Sequence, residues 1–260
     1  MKLGVNIDHI AVLREARRIA DPDPLDALSI CKRAGADQIT IHLREDRRHM
    51  QDSDAKHIIE LSSLPVNLEC AIEPTMIDIA CSLRPHRVTL VPEKREEVTT
   101  EGGLAVTGEQ PRLKEAIRRL QEKEIEVSLF IDPNLDAVRA SVDLHVEWIE
   151  FHTGKYANIH AMLYGNLANT HHTIKELELP RKVLKQMCED ELRNLRLLSC
   201  DAMELGLKVA AGHGLNYQNV KEIVEIETIE ELNIGQSIIA RSVYTGLEQA
   251  ILDMKALMIR

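Results

Sequence analysis

A closed barrel of eight parallel strands, each followed by a helix, is the fold this sequence predicts, on three observations. The chain has 260 residues with no low-complexity tract or linker to divide it, a length that suits one such barrel. Eight short apolar or β-branched runs alternate with segments of helical spacing, so each strand must cross over through a helix to a parallel neighbour. No glycine-rich phosphate fingerprint follows the first run, as it commonly does in an open doubly wound sheet.

The elements follow in order. LGVNID (3–8) is the first strand, with Val5 and Ile7 alternating against Asn6 and Asp8. QITIHL (38–43) sets Ile39, Ile41 and Leu43 against Thr40, His42 and Arg44, and VNLECA (66–71) sets Leu68 and Cys70 against Asn67 and Glu69. RVTLVP (87–92) contributes Val88 and Leu90, EVSLFI (126–131) Val127 and Leu129, and WIEFHT (148–153) sets Ile149 and Phe151 against Glu150 and His152. KVAAGH (208–213) is read with Ala211 and His213 inside; ELNIG (231–235) has Leu232 and Ile234 outside, Asn233 and Gly235 inside. Successive side chains point to opposite faces, so the apolar set packs beneath helices and the polar set enters the lumen.

Between strands, Leu113, Ala116, Ile117 and Leu120 recur at helical spacing, as do Val243, Leu247, Ala250, Ile251, Met254 and Leu257 near the end. The stretch after Pro92 carries Thr99, Thr100, Gly102 and Gly103 and suits a lid better than a tight turn. A helix is expected over 182–204, and residues 158–181 read as an insertion on a single-domain barrel spanning 1–260.

Composition narrows the function. The 32 Lys and Arg face 42 Asp and Glu, a net charge of −10. Nucleic acids and anionic membranes are held by many basic side chains, so both drop out as partners, and no apolar run approaches the roughly 18 residues of a membrane span. Five scattered cysteines without a C-x-x-C pair exclude a disulfide scaffold and a zinc ribbon. MKLGVNIDHI reaches Asp8 and His9 before any signal-like apolar run, so the expected location is cytoplasmic.

The inner set grows ionisable toward the C-terminal strand ends. Buried charge without partners costs several kcal/mol, so this pattern calls for a ligand-filled mouth or a dense internal network. Asp8 and His9 are adjacent, so only one can face down the lumen; the alternative is a turn cap and a rim residue. TIHLREDRRHM places His42 and Arg44 on one face, then Arg47, Arg48 and His49, a local anion site within an acidic protein. Arg47 and Arg48 also fit a solvated run partnered by Glu45 and Asp46. Glu69 and Glu150, inward carboxylates on apolar strands, suit proton transfer or structural ion pairing. His213 lies between Gly212 and Gly214, and a helix turn offering free N–H groups is expected to follow. NIGQS repeats that logic. One phosphate is expected against Gly214, Gly235 and Gln236, with a second anion pocket at the arginine cluster, so two phosphorylated substrates are expected. Lys94 and Lys155 lie just past their strands and Lys208 at the opposite strand end, which makes a lysine imine a secondary option.

GVNIDHIAVLREAR, TIHLREDRRHM, NLE, LVPEKREEVTTEGGL, VSLFID, IEFHTGKYA, GLKVAAGHGLNY and ELNIGQSIIARSV, in that order over nearly the whole chain, resemble the pyridoxine 5'-phosphate synthases of vitamin B6 biosynthesis. The resemblance implies a (β/α)₈ barrel that condenses 3-amino-2-oxopropyl phosphate with 1-deoxy-D-xylulose 5-phosphate, without metal or organic cofactor, as a homo-octamer. It implies His42 and Glu69 as general bases, His213 as general acid and Glu150 as a further acid–base residue. Asn6, Arg17, Gly214, Gly235 and Gln236 would hold the amino-ketone phosphate, and Asp8, His9, Arg44, His49 and Thr99 the deoxyxylulose phosphate. Two departures stand out: Gln236 occupies a position that is often His in the family, and 158–181 is longer than in compact members. Three other readings stay open: a metal-dependent hydrolase using Asp8, His42, Glu69 and His213, a lysine-imine aldolase, and a silent phosphate-ligand binder.

Overall fold

The computed structural model describes residues 1–93, 102–108 and 110–260. Eight parallel strands close into a barrel in chain order: β1 (Lys2–Asn6), β2 (Gln38–His42), β3 (Val66–Cys70), β4 (Arg87–Leu90), β5 (Glu126–Ile131), β6 (Trp148–His152), β7 (Lys208–Gly212) and β8 (Glu231–Ile234). β1 closes the ring, with Val5 registered against Ile39 of β2 on one side and Ile234 of β8 on the other. Each of the eight expected runs is a strand.

The helices are α1 (Asp8–Arg17), α2 (Asp26–Arg33), α3 (Asp52–Leu61), α4 (Pro74–Leu83), α5 (Pro111–Gln121), α6 (Leu135–Asp143), α7 (Gly154–Tyr164), α8 (Arg181–Glu204), α9 (Val220–Val224), α10 (Gln236–Thr245) and α11 (Leu247–Leu257). Their starts are chemically marked. Proline opens α4 and α5, where its missing N–H costs nothing. Gln51 and Asp54 form a reciprocal capping box on α3, and Asn134 Oδ1 accepts the Ala137 N–H at 2.8 Å to cap α6. The outward strand set, Val5, Ile39, Ile41, Val88, Leu129, Ile149 and Leu232 among it, is fully buried with the helix stripe Leu113, Ala116, Ile117 and Leu120. Burial of each large aliphatic side chain is worth about 1.5–3 kcal/mol. Among the described residues no helix is long and apolar enough to cross a membrane.

The lumen is polar. Arg87 pairs with Glu231 at 2.7 Å, Gln38 Nε2 donates to Glu231 at 3.0 Å, and the Arg87 guanidinium lies 3.7 Å from the Trp148 ring centroid. Above them Thr40 Oγ1 donates to Asn233 Oδ1 at 3.1 Å and Thr89 Oγ1 to Asn67 Oδ1 at 2.9 Å. Gly4 is small because its neighbour is close: a Cβ there would lie 2.0 Å from Asn233 Oδ1.

Several expectations need correction. β1 ends at Asn6, and Asp8 opens α1 rather than continuing the strand. In β7 the phase is the reverse of the one expected: Ala210 and Gly212 register against Glu150 and His152 and so face inward, while Ala211 packs in the outer core. A Cβ on Gly212 would meet Glu150 Oε1 at 2.2 Å. The 158–181 stretch is not one unit, because its first residues complete α7, which packs against α8; only the part after Tyr164 is irregular, with short 3-10 turns at Leu167–Asn169 and Lys175–Leu177. The long helix begins at Arg181, one residue before the expected start.

Candidate active site

At the C-terminal ends of the strands a cavity of about 600 Å³ opens. Its wall includes His42, Glu69, Glu150 and His213, together with Asn6, His9, Arg44, Gly214, Gly235 and Gln236. Asp8 lies just beneath and His49 stands beside His42, ring centroids 6.1 Å apart. Arg17 is exposed on the last turn of α1 and does not line the cavity; α1 starts at the rim, and its nine-residue descent carries Arg17 about 13 Å along the axis. Thr99 and most of the expected lid lie outside the described residues. Of that lid, Gly102 reaches the wall, and 103–104 are tied to β5 by Gly103 N–H donating to Asp132 Oδ1 (2.9 Å) and Leu104 N–H to the Phe130 carbonyl (2.7 Å).

Asp8 organises the first corner. Its Oδ1 accepts the His42 backbone N–H at 2.8 Å and its Oδ2 accepts Asn6 Nδ2 at 2.9 Å. Burial raises its pKa to about 6, against the opposing pull of His42 and Asn6. With Asp8 so engaged, His9 is the member of the pair on the cavity wall, and burial lowers its pKa. His42 Nε2 lies 2.8 Å from Glu93 Oε1.

The arginine cluster divides. Arg44 stays on the cavity wall, whereas Arg47 is bridged to Asp52 at 2.8 Å and Arg48 to Asp46 at 2.5 Å, the solvated alternative for those two. His49 Nδ1 accepts the Met50 N–H at 2.8 Å, so its proton sits on Nε2. Burial, then His42, Arg44 and His9, hold its pKa down to about 4, which makes it a neutral donor at pH 7. Arg14, unmarked in the sequence reading, supports this loop: buried, it pairs with Asp54 at 2.7 Å and donates to the His49 carbonyl at 3.1 Å.

Two carboxylates share the middle of the cavity. Burial raises Glu69 well above the ordinary range, and the charges of Glu150 and Asp8 raise it further. Burial also raises Glu150, opposed by Asn233 Nδ2 donating to its Oε2 at 2.7 Å. Neighbouring buried carboxylates resist simultaneous ionisation, which keeps a proton available near neutrality.

His213 reaches the cavity by a backbone device. It follows the strand with φ 79°, and Thr153 Oγ1 binds the carbonyls of Gly212 (2.7 Å) and His213 (2.8 Å) to fix that turn. Burial and the neighbouring His152 lower its pKa, so the neutral ring predominates at pH 7. His152 meets it edge-on at 4.8 Å, with its own Nδ1 3.3 Å from Asp132 Oδ1, and Phe130 flanks both rings. The helix expected directly after His213 begins only at Val220; a turn held by Asn219, whose Oδ1 accepts the Asn216 N–H at 2.7 Å, intervenes. α10, by contrast, starts at Gln236 on the rim, and a helix N-terminus there suits an anion.

The sequence reading passed over Glu93, Phe130, Asp132 and Asn216, and gave His152 no role. Glu93 was hidden in the charge run EKREE and Asp132 in an Asp-Pro turn. The inward phase of β5 was the available signal for Phe130, which registers against Glu150.

The sequence profile described as "Pyridoxal phosphate biosynthesis protein PdxJ" matches residues 3–260. A pyridoxine 5'-phosphate synthase of Sulfurovum sp. (strain NBC37-1) is 81% identical over 258 residues, 99% of this chain and 100% of that one. One from Aliarcobacter butzleri (strain RM4018) is 66% identical, with 99% and 98% covered. Among solved structures, a phosphoribosylanthranilate isomerase of Thermotoga maritima, 12% identical, aligns with TM-score 0.57 over 99% of this chain and 98% of that one. The structure titled KGPDC from Streptococcus mutans, also 12% identical, aligns with TM-score 0.60 over 98% and 96%. At such identities the likeness is one of fold.

Proposed function

The chain belongs to the PdxJ family of pyridoxal phosphate biosynthesis proteins, and from that membership we infer that its cavity carries pyridoxine 5'-phosphate synthase activity in vitamin B6 biosynthesis. The observation that carries the reading is the convergence of His42 from β2, Glu69 from β3, Glu150 from β6 and His213 from the turn after β7 on one cavity. In the proposed reaction 3-amino-2-oxopropyl phosphate and 1-deoxy-D-xylulose 5-phosphate yield pyridoxine 5'-phosphate, inorganic phosphate and water.

The two substrates form an imine through the amine that one of them brings. Ring formation then requires repeated proton removal, loss of water and phosphate, and a closing carbon–carbon bond. Each step moves a proton near pH 7. His42 and Glu69 serve as bases, His213 as acid and Glu150 as a further proton holder, each contributing about 10²–10⁴-fold. A burial-raised Glu69 is a stronger base than an ordinary carboxylate once deprotonated, and a neutral His213 returns the proton it receives in the preceding step. Arg44, His49, His9 and Asp8 are assigned to the deoxyxylulose phosphate, together with Thr99, which lies outside the described residues; Asn6, Gly214, Gly235 and Gln236 are assigned to the amino-ketone phosphate. Exposed Val12 and Leu13 on α1 and Val243 and Tyr244 on α10 support self-association, proposed as an octamer working in the cytoplasm; light scattering of the purified protein tests the assembly.

The deciding experiment mixes purified protein with both substrates and no added metal and follows the pyridine chromophore and released phosphate. Stoichiometric appearance of both is expected. Phosphate release without a pyridine product would return the reading to a hydrolase.

A further inference from the structure

We propose that Glu93 is the positioning residue for His42: its carboxylate holds the imidazole with Nε2–H toward itself and Nδ1 toward the substrate, so that the two side chains handle protons as one unit. This deepens the reading of His42 as a general base and rests on it.

Glu93 stands just beyond β4, its side chain only 4% exposed, with Oε1 2.8 Å from His42 Nε2. Its other oxygen, Oε2, accepts the Glu45 backbone N–H at 3.1 Å and lies 3.7 Å from Arg44 Nη2. Both carboxylate oxygens are therefore fixed, and one of them is aimed at the imidazole. The His42 backbone is anchored separately through its N–H to Asp8 Oδ1 at 2.8 Å. A ring held at backbone and tip keeps one rotamer, and a carboxylate at Nε2 places the neutral-state proton there. Nδ1 is then the nitrogen with a lone pair to offer, on a ring that lines the cavity.

The partner is a carboxylate rather than a neutral acid. Burial acts to raise the pKa of Glu93, but the hydrogen bond and charge of His42, the Glu45 N–H and Arg44 together hold it below the ordinary value. When a substrate C–H bond breaks, its electron pair stays on the substrate and the proton becomes Nδ1–H. The imidazolium charge is met by Glu93 across Nε2–H. The same proton later leaves from Nδ1 to a departing group, which restores the neutral ring. Among the described residues, the charged and titratable groups facing His42 are Asp8 from α1, Arg44 and His49 from the loop after β2, Glu69 from the adjacent position on β3, and Glu93 itself. Among these described groups, Glu93 is the one hydrogen-bonded to the ring.

The test compares wild type, Glu93→Gln, Glu93→Asp, His42→Ala and the Glu93→Gln/His42→Ala double variant in pyridine-forming kinetics across pH. Glu93→Gln keeps the shape and removes the charge. It is expected to lower kcat roughly 10²-fold with KM for both substrates little changed, and to change the shape of the kcat–pH profile, because the ring loses its charged partner. Glu93→Asp should recover part of the rate, and Glu93→Gln should cost nothing further in the double variant. Wild-type kcat and an unchanged kcat–pH profile in Glu93→Gln, with His42→Ala inactive, would overturn the dyad and leave His42 as base. Wild-type rate in His42→Ala would overturn both. Should Glu93→Gln fail to fold, ¹⁵N NMR of histidine-labelled wild type decides: Nε2–H with a bare Nδ1 on His42 is required, and the opposite tautomer refutes the proposal.

Discussion

The floor and the mouth of this barrel are lined by inward positions of the same eight strands, yet they treat buried polar groups differently. On the floor, Arg87, Glu231, Gln38 and Trp148 interlock as ion pair, amide bridge and cation–π contact. At the mouth, carboxylates face carboxylates and imidazoles face imidazoles: Glu69 meets Glu150 and Asp8, His213 meets His152, and His49 meets His42. Opposite partners occur in both regions, since His42 meets Glu93 at the mouth, but contacts between like groups, which resist charging together, gather at the mouth. What sets the mouth apart from the floor is therefore the addition of like-group contacts, not the depth of burial.

The strongest contrast should come from activity. His42→Ala, Glu69→Ala and His213→Ala are each expected to retain the fold and lose at least ~10²-fold in rate, read as product formation beside an unchanged circular dichroism spectrum. Near-normal turnover in all three would strip the mouth of its distinction.

The mirror-image result belongs to the floor. Arg87→Leu leaves Glu231 buried without its counter-ion, so a loss of about 3–5 kcal/mol is expected in denaturant unfolding. A cost below about 1 kcal/mol would mean that the floor tolerates unpaired charge as the mouth does.

The pH dependence of stability separates the regions next. Asp8 is raised to about 6 in the folded protein, so the folded state holds its proton more tightly than the unfolded chain does. That stabilisation is complete below the unfolded value near pH 4 and is lost as pH rises through about 6. The depressed histidines act in the opposite sense, so the comparison is best made between variants. Asp8→Asn should gain on wild type by about 2–3 kcal/mol between pH 4 and pH 7.5 in ligand-free unfolding. A pH-independent difference would place Asp8 among the paired, scaffold-like carboxylates.

The smallest effect is expected from Thr89→Val, which removes the buried bond to Asn67. About 1 kcal/mol of stability should go, with kcat unchanged. A fall in kcat would extend the catalytic zone below the level of Glu69 and Glu150.

The fold could be read from the sequence because strands buried beneath helices impose a strict alternation, and Ile39, Ile41 and Leu43 against Thr40 and His42 satisfy it unambiguously. Where that contrast vanishes the reading slipped: Val209, Ala210, Ala211 and Gly212 are all small or apolar, and the phase of β7 came out reversed. His213 was still placed at the mouth, but a left-handed φ delivers it there, not the alternation. The single-residue donors of the site were visible as unusual inward ionisable residues. Their partners were not, because Glu93 and Asp132 lie beyond strand ends, where no periodicity constrains them and nearby charges disguise them. Arg17 entered only through the family resemblance, and in a single chain it stands exposed on the last turn of α1, away from the cavity wall.

One carboxamide spans both regions. Asn233 accepts from Thr40 with its oxygen, faces Gly4 so closely that no side chain fits between them, and gives its amide to Glu150. An engineer who wished to retune the acidity of that glutamate by altering residue 233 would be reshaping the seam between first and last strands at the same time. Evolution faces the same entanglement, and new chemistry in this scaffold has more freedom among the loop-borne partners of the histidines than in the barrel wall itself.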